Sequence, residues 1–180
     1  MAVHTQTITL GGGCFWCTEA VYVNVKGVLD VESGYSNGHV VQPSYEQVCT
    51  GQTGHVEVVK LVFDPEQVSL RELLEIFFVI HDPTTLNAQG HDRGTQYRSG
   101  IYFTDPEHQL IAQQVVAEMV ASGTYHHPIV TEVVPVANYW PAESYHQDYF
   151  ARHPHQGYCM AVAAPKVAKF RQTFARLARG

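Results

Sequence analysis

Cys14 follows Gly11-Gly12-Gly13 and opens a stretch, Cys14 to about Val23, with the pattern of a short helix. A thiol attacks as its thiolate, and the free N–H groups and positive dipole end at a helix start favour an anion. Such a setting can bring a thiol pKa from about 8.5 into the range of roughly 3.5–7.5. The glycines let backbone and substrate approach closely. A buried structural cysteine is the bland alternative; the strand–glycine–helix setting favours a nucleophile instead. Phe15 and Trp16 follow at once and suit either core packing or an apolar wall around a small group. The other cysteines are Cys17, Cys49 and Cys159. Four thiols so scattered make no secreted disulfide framework and point to catalysis or metal binding.

The elements that must position these residues read as follows. Gln6 to Leu10 is a strand that ends at the glycines. Val28 to Ser33 is a second strand, followed by a turn at Tyr35-Ser36-Asn37-Gly38. Ser44 to Cys49 fits a short helix, and His55 to Phe63 a valine-dense strand that stops at Asp64-Pro65. Ser69 and Glu72 form a capping box, and Leu70, Leu73, Leu74, Phe77 and Phe78 make the apolar stripe of a helix that ends before Pro83. His81 to Gln96 is a long polar loop of the kind that often carries function. Tyr97 to Phe103 reads as a strand, Pro106 to near Gly123 as a helix, and Ile129 to Val136 as a strand whose Pro135 marks a sheet edge or an end. Pro141 to Phe150 reads as helical, Arg152 to Cys159 as a loop. The last helix, after Pro165, puts Val167, Phe170, Phe174 and Leu177 on one face. Strands and helices mix without strict alternation, so the expected fold is α+β: a two-layer sandwich with a mixed central sheet, helices packed on it and an irregular C-terminal loop region.

The chain has 180 residues, 45% of them hydrophobic and 16% charged, which suits one domain over residues 1–180 with an ordinary core. A formal net charge of -6 gives no general pull toward nucleic acid or anionic membrane. Lys166, Lys169, Arg171, Arg176 and Arg179 crowd the last 15 positions and read as a solvated helix face. Met1 to Leu10 lacks a basic segment followed by an apolar core, and no run approaches the ~18 apolar residues of a membrane span. A cytoplasmic address is the default, and a monomer is expected.

Four blocks, in order, carry a resemblance. Gly12-Gly13-Cys14-Phe15-Trp16 is similar to the GCFW signature of the type A methionine sulfoxide reductase family. Pro43 to Gly51, followed by Thr53-Gly54-His55-Val56-Glu57, resembles the family's second block. His81-Asp82-Pro83 and Asp92-Arg93-Gly94-Thr95-Gln96-Tyr97-Arg98-Ser99 resemble its third. Tyr145-His146-Gln147-Asp148-Tyr149 and Gly157-Tyr158-Cys159 resemble its C-terminal end. The resemblance implies a cofactor-free thiol enzyme that repairs oxidised proteins under oxidative stress. It acts on the S epimer of methionine sulfoxide, free or in proteins, and is recycled by thioredoxin.

By position, the resemblance makes Cys14 the nucleophile, Glu57 the acid that protonates the departing oxygen, and Tyr45 and Tyr97 its hydrogen-bond donors. Phe15 and Trp16 would hold the S-methyl group, and Asp92 would recognise the peptide. Cys159 would be the recycling thiol, and His146 and Tyr149, at i and i+3 on one helical face, would support the site. Elementary chemistry agrees for Glu57. Sulfoxide oxygen leaves poorly unless protonated, and an acid working near pH 7 needs the raised pKa that burial gives. Glu57 lies among Val56, Val58 and Val59; a salt bridge to a surface lysine is the alternative. Tyrosine hydroxyls donate a proton while staying neutral at pH 7.

Three departures from the family pattern stand out. Cys17 occupies a position where glycine is common and creates Cys14-x-x-Cys17. Ser144 stands where an acidic residue is common, and His91 where asparagine is common. Cys159, in a glycine-containing loop, is the expected first disulfide partner of Cys14, with Cys17 a later relay or a protective alternative. Cys49, in a packed turn, is expected to stay reduced. Two rival readings remain. One is a thioredoxin-like dithiol oxidoreductase built on Cys14-x-x-Cys17, separable by activity on insulin disulfides. The other is a non-enzymatic zinc module using the histidines, separable by metal analysis; the enzyme reading expects no metal.

Overall fold

The computed structural model describes residues 4–180; the reading of the first ten residues as lacking a leader falls partly on residues 1–3, outside the described residues. The strands are β1 (Gln6–Gly11), β2 (Val28–Ser36), β3 (Val56–Phe63), β4 (Ala88–Gln89), β5 (Asp92–Arg93), β6 (Gly100–Phe103), β7 (Glu132–Pro135) and β8 (Trp140–Pro141). The helices are α1 (Phe15–Tyr22), α2 (Tyr45–Cys49), α3 (Leu70–Ile80), α4 (Pro106–Ala121), α5 (Tyr149–Arg152) and α6 (Ala164–Thr173). One six-stranded sheet runs β7-β6-β1-β3-β2-β8, and β4 pairs with β5 apart from it. Every pairing in the large sheet is antiparallel except β6 with β7, so the sheet is mixed. Helices α1, α6, α3 and α4 pack against one another in that order, and α1 and α4 also contact the sheet. The α+β expectation holds.

The core lies between these layers. Ile8 and Leu10 of β1, Leu61 and Phe63 of β3, and Leu73, Leu74 and Phe77 of α3 are all buried in one cluster, each worth roughly 1.5–3 kcal/mol of burial. The capping box is realised: the Glu72 N–H donates to Ser69 Oγ and the Ser69 N–H to Glu72 Oε1. A second capping box, Ser44 with Gln47, starts α2. The basic C-terminal side chains hold the chain end in place. Arg176 pairs with Glu72, Arg171 donates to Asn24, and Arg179 donates to the Val28 carbonyl.

Five segments differ from expectation. Strand β2 continues through Tyr35 and Ser36, which pair with Glu57 and Val56, and the chain turns only at Asn37, with φ 64°. Residues Thr95–Tyr97 form a 3-10 turn, so Tyr97 precedes strand β6. Only Glu132–Pro135 of the next expected strand is paired; it is the sheet edge that Pro135 foretold. Pro141 to Phe150 is not one helix. Gln147 donates to the carbonyls of Ser33 and Ala142 and accepts from the Ser33 N–H, drawing the backbone onto β2. Asp148 then takes φ 57°, which no helix interior allows, leaving a 3-10 turn (Ser144–His146) and the single-turn α5. His146 and Tyr149 therefore do not share a helical face. Near the C-terminus, Cys159 opens a π-helical turn (Cys159–Ala163) that runs into α6, and Leu177 falls in a separate 3-10 turn.

Candidate active site

Gly13 has φ +95°, and a Cβ there would lie 2.7 Å from Gln89 Cγ, so the turn into α1 requires glycine. The turn delivers Cys14, half-buried, to the N-cap of α1, as expected. The electrostatics are not as expected. Burial pushes the Cys14 thiol well up, helped by its hydrogen bond to the Cys17 sulfur and the negative charges of Glu57 and Cys17; the Trp16 backbone N–H opposes this. Desolvation outweighs the helix start. Cys17 is shifted the opposite way. The hydrogen bond from Cys14 lowers it against the cost of burial, aided by the Lys166 ammonium and the Tyr158 hydroxyl.

Glu57 is buried on β3, and its Oε1 accepts from the Phe15 N–H at 3.1 Å, which ties the acid to the residue next to Cys14. Desolvation pushes its carboxyl up to about 8 against that one hydrogen bond, with the charges of Asp92 and Cys17 adding to the rise. The surface salt bridge is thereby excluded, and a neutral, proton-bearing carboxyl stands beside the thiol at pH 7. Tyr45 on α2 and Tyr97 in its 3-10 turn both feel the Glu57 charge, and Tyr97 feels that of Cys14 as well. Burial raises both phenols further, so both remain donors.

The aromatic wall is assembled from distant segments. Trp16 stacks on Tyr149 at 3.9 Å and 6°, and its Nε1 donates to His146 Nδ1 at 3.1 Å. Phe15 packs 5.1 Å from His146 and 5.7 Å from Tyr35. Since indole N–H can only donate, His146 Nδ1 carries a lone pair and the neutral ring keeps its proton on Nε2. That atom is buried without a partner among the described residues. Burial holds His146 below the usual imidazole range, against the pull of Glu143 and Glu46. Asp92, on the β4–β5 hairpin, accepts from the Tyr158 hydroxyl, and Tyr158 stands edge-on to Trp16 at 6.0 Å.

The structure thus brings together Cys14, Cys17, Phe15, Trp16, Tyr45, Glu57, Asp92, Tyr97, His146 and Tyr149. Cys159 is also close, but it is buried, and its N–H donates to Gln156 Oε1, so it sits on no free loop. Cys49 is exposed, where a packed turn was expected. Ser144 and His91 are exposed. Sequence reasoning missed Glu143, whose Oε1 accepts from the Tyr35 hydroxyl at 2.8 Å and Oε2 from the Tyr45 N–H at 2.9 Å. The signal was adjacent, since Glu143 immediately precedes the departure at Ser144. Tyr158 was missed as a contact of Asp92 and Cys17.

A cleft of about 740 Å³ lies elsewhere, with His81, Gln89 and Lys166 in its lining. Among the described residues no three His, Cys, Asp or Glu side chains are grouped to hold a metal ion, and no helix is long and apolar enough to cross a membrane.

A mixed, largely antiparallel sheet with a cysteine at a glycine-turned helix start, beside a buried neutral carboxyl, defines a cysteine-dependent enzyme of the α+β class. The comparisons agree. The family model described as Peptide methionine sulfoxide reductase matches residues 6–178. A relative from Polynucleobacter asymbioticus, "Peptide methionine sulfoxide reductase MsrA", is 60% identical over 172 residues, covering 96% of this chain and 90% of its own. The crystal structure of Mxr1 from Saccharomyces cerevisiae in reduced form is 37% identical with a TM-score of 0.81, covering 86% of this chain and 89% of its own. Mxr1 in complex with Trx2 is 25% identical with a TM-score of 0.58, covering 83% and 89%. The chain belongs to the peptide methionine sulfoxide reductase family.

Proposed function

We propose that this protein is a single-domain, thiol-dependent reductase of methionine S-sulfoxide, free or in proteins. The observation that carries the reading is the buried Glu57 carboxyl, joined to the Phe15 N–H beside Cys14 and neutral at pH 7. The sulfoxide oxygen sits against Glu57, Tyr45 and Tyr97, and the S-methyl group against Phe15 and Trp16. Asp92 holds the peptide, once Tyr158 has moved aside. Tyr149 and His146 hold the Trp16 indole from its face and its edge.

Cys14 attacks the sulfoxide sulfur as its thiolate while Glu57 gives its proton to the oxygen, so that an S–S bond forms. The hydroxyl then passes to the Cys14 sulfur as that bond and the substrate S–O bond break, and Glu57 regains the proton that Cys14 gave up. The oxygen ends on Cys14 as a sulfenic acid, the substrate sulfur gains the two electrons that Cys14 loses, and methionine leaves. A neutral Glu57 matters twice: it supplies the proton, and it places no negative charge against the attacking sulfur. A second thiol then forms a disulfide with loss of water, and a dithiol of the thioredoxin class reduces it. The yeast relative crystallised with Trx2 supports that choice of reductant, and the cytoplasm is the compartment that would supply it. The sheet order and its antiparallel pairing support this reading over a thioredoxin-like oxidoreductase.

The test uses separated epimers of a methionine sulfoxide peptide. Wild type should reduce the S epimer alone, because the mirror placement leaves buried donors unpaired at about 1–3 kcal/mol each. Cys14→Ser should reduce neither. Retention of a tenth of the activity by that variant, or comparable turnover of both epimers, would overturn the reading.

A further inference from the structure

We propose that the cleft of about 740 Å³ beside the glycine turn binds acidic residues of the polypeptide that carries the methionine sulfoxide, with Lys166 and Lys169 of α6 as its cations. The inference rests on the reductase reading and names the class of substrate that its site takes best.

The cleft shares its walls with the active site. Gln89, in the lining, lies on the β4–β5 hairpin that also carries Asp92, and it packs against Gly13, the residue before Cys14. Gln89 is fixed there: its Oε1 accepts from the Asp82 N–H and its Nε2 donates to the Asp82 carbonyl, each at 2.9 Å. His81, also in the lining, lies against Gly12. The charge of Lys166 reaches both Cys17 and His81. A polypeptide held at Asp92 and running along the hairpin therefore enters the cleft within a few residues of its sulfoxide.

The cleft is firmly walled and large enough. The Tyr125 hydroxyl donates to the Phe78 carbonyl at 2.7 Å, and the Val130 N–H to the Pro83 carbonyl at 2.8 Å. These bonds hold the segment bearing His126 and His127 as the wall facing α6. The volume falls within the range of about 300–1,000 Å³ typical of ligand pockets.

Its charge is one-sided, in a chain whose formal net charge is -6. Lys166 is half-buried and Lys169 exposed, and as i and i+3 of α6 they share one helix face. Among the described residues neither ammonium has an ion-pair partner, whereas Lys60, Arg71, Arg98 and Arg176 each have one. Asp82 is the one acid among the described residues of the lining, and its Oδ1 already accepts from the N–H and the hydroxyl of Thr84. His126 and His127 add ring N–H donors. A half-buried ammonium without a partner carries a desolvation cost that a carboxylate from the ligand offsets. Because the pair forms inside a cleft, salt screens it less than a pair on open surface.

The experiment uses peptides of alanine and glycine that carry one methionine S-sulfoxide and a pair of glutamates, placed successively further from it on either side. Matched peptides carry lysines instead, and free methionine sulfoxide is the common reference. Methionine release is read in a single turnover without reductant, so that recycling does not enter. At low salt, wild type should reduce the best-placed glutamate peptide roughly tenfold faster than its lysine counterpart, with the ratio shrinking as salt rises. Lys169→Glu should lower that ratio about tenfold, and Lys169→Arg should keep it. Equal rates on glutamate and lysine peptides at every position, or a Lys169→Glu ratio equal to that of wild type, overturns the proposal. An effect of Lys169→Glu confined to turnover driven by thioredoxin also overturns it, because the cleft then serves the reductant. Release of no methionine from any substrate, free methionine sulfoxide included, overturns the reductase reading itself.

Discussion

Glu57→Gln separates the neutral-acid mechanism from every reading in which this carboxyl is ionised. The substitution keeps the shape and an oxygen to accept from the Phe15 N–H, and it removes the titration. In the folded protein the carboxyl is pushed up to about 8, from an ordinary 4.5, chiefly by desolvation. A raised folded-state pKa means that the native state binds the proton more tightly than the unfolded chain. The associated stability is fully present below the unfolded value and is lost as pH rises through the folded one. Between those limits the loss is about 1.4 kcal/mol per pH unit, roughly 3 kcal/mol from pH 5.5 to 7.5. The variant carries no such term, so it should gain about that much on wild type over the same interval. Urea denaturation of both proteins under reducing conditions, at several pH values, measures the difference directly. Other titrating groups, such as His81 and His146, are common to both and cancel. Kinetically, the variant should form sulfenic acid roughly 10²–10⁴-fold more slowly, and wild-type activity should fall as pH rises through about 8. A stability difference that stays flat with pH would mean that Glu57 is already ionised at neutrality, and the acid role would go with it.

Tyr45→Phe and Tyr97→Phe each delete one donor to the departing oxygen and should lower kcat by about tenfold, with KM little changed; single-turnover kinetics that show no loss in either would remove the tyrosines from the oxygen site. His146→Leu strands the Trp16 indole N–H and should raise KM about tenfold for peptide substrate, and wild-type KM should rise as pH drops far enough to protonate Nδ1. A peptide KM for His146→Leu equal to that of wild type would contradict this. Gly13→Ala meets both a positive φ and Gln89 and should cost roughly 1–3 kcal/mol of stability; a melting temperature equal to wild type would show that the turn relaxes freely.

What the sequence alone determined is local. The glycine turn, the cysteine at a helix start, the Ser69–Glu72 box and the apolar stripe of α3 are written in residues a few positions apart. Near-neighbour backbone and side-chain chemistry decides them. The burial of Glu57 was legible too, because three flanking valines leave a strand little choice. What only the tertiary structure decided depends on groups far apart in the chain. The segment from Pro141 to Phe150 has helical composition, yet Gln147 bonds to Ser33, 114 residues away, and the helix gives way. Glu143 becomes a site residue only because Tyr35, 108 residues earlier, reaches it. Trp16 is held by His146 across 130 residues, and Cys17 meets Tyr158 across 141. The charge on the thiols follows the same rule. A helix start alone favours the Cys14 thiolate, but desolvation is set by everything packed around a group, and here it raises Cys14, while the hydrogen bond from Cys14 lowers Cys17 against the cost of its own burial. Local geometry is carried by neighbouring residues; burial and long-range pairing, which set pKa values, exist only once the chain has folded.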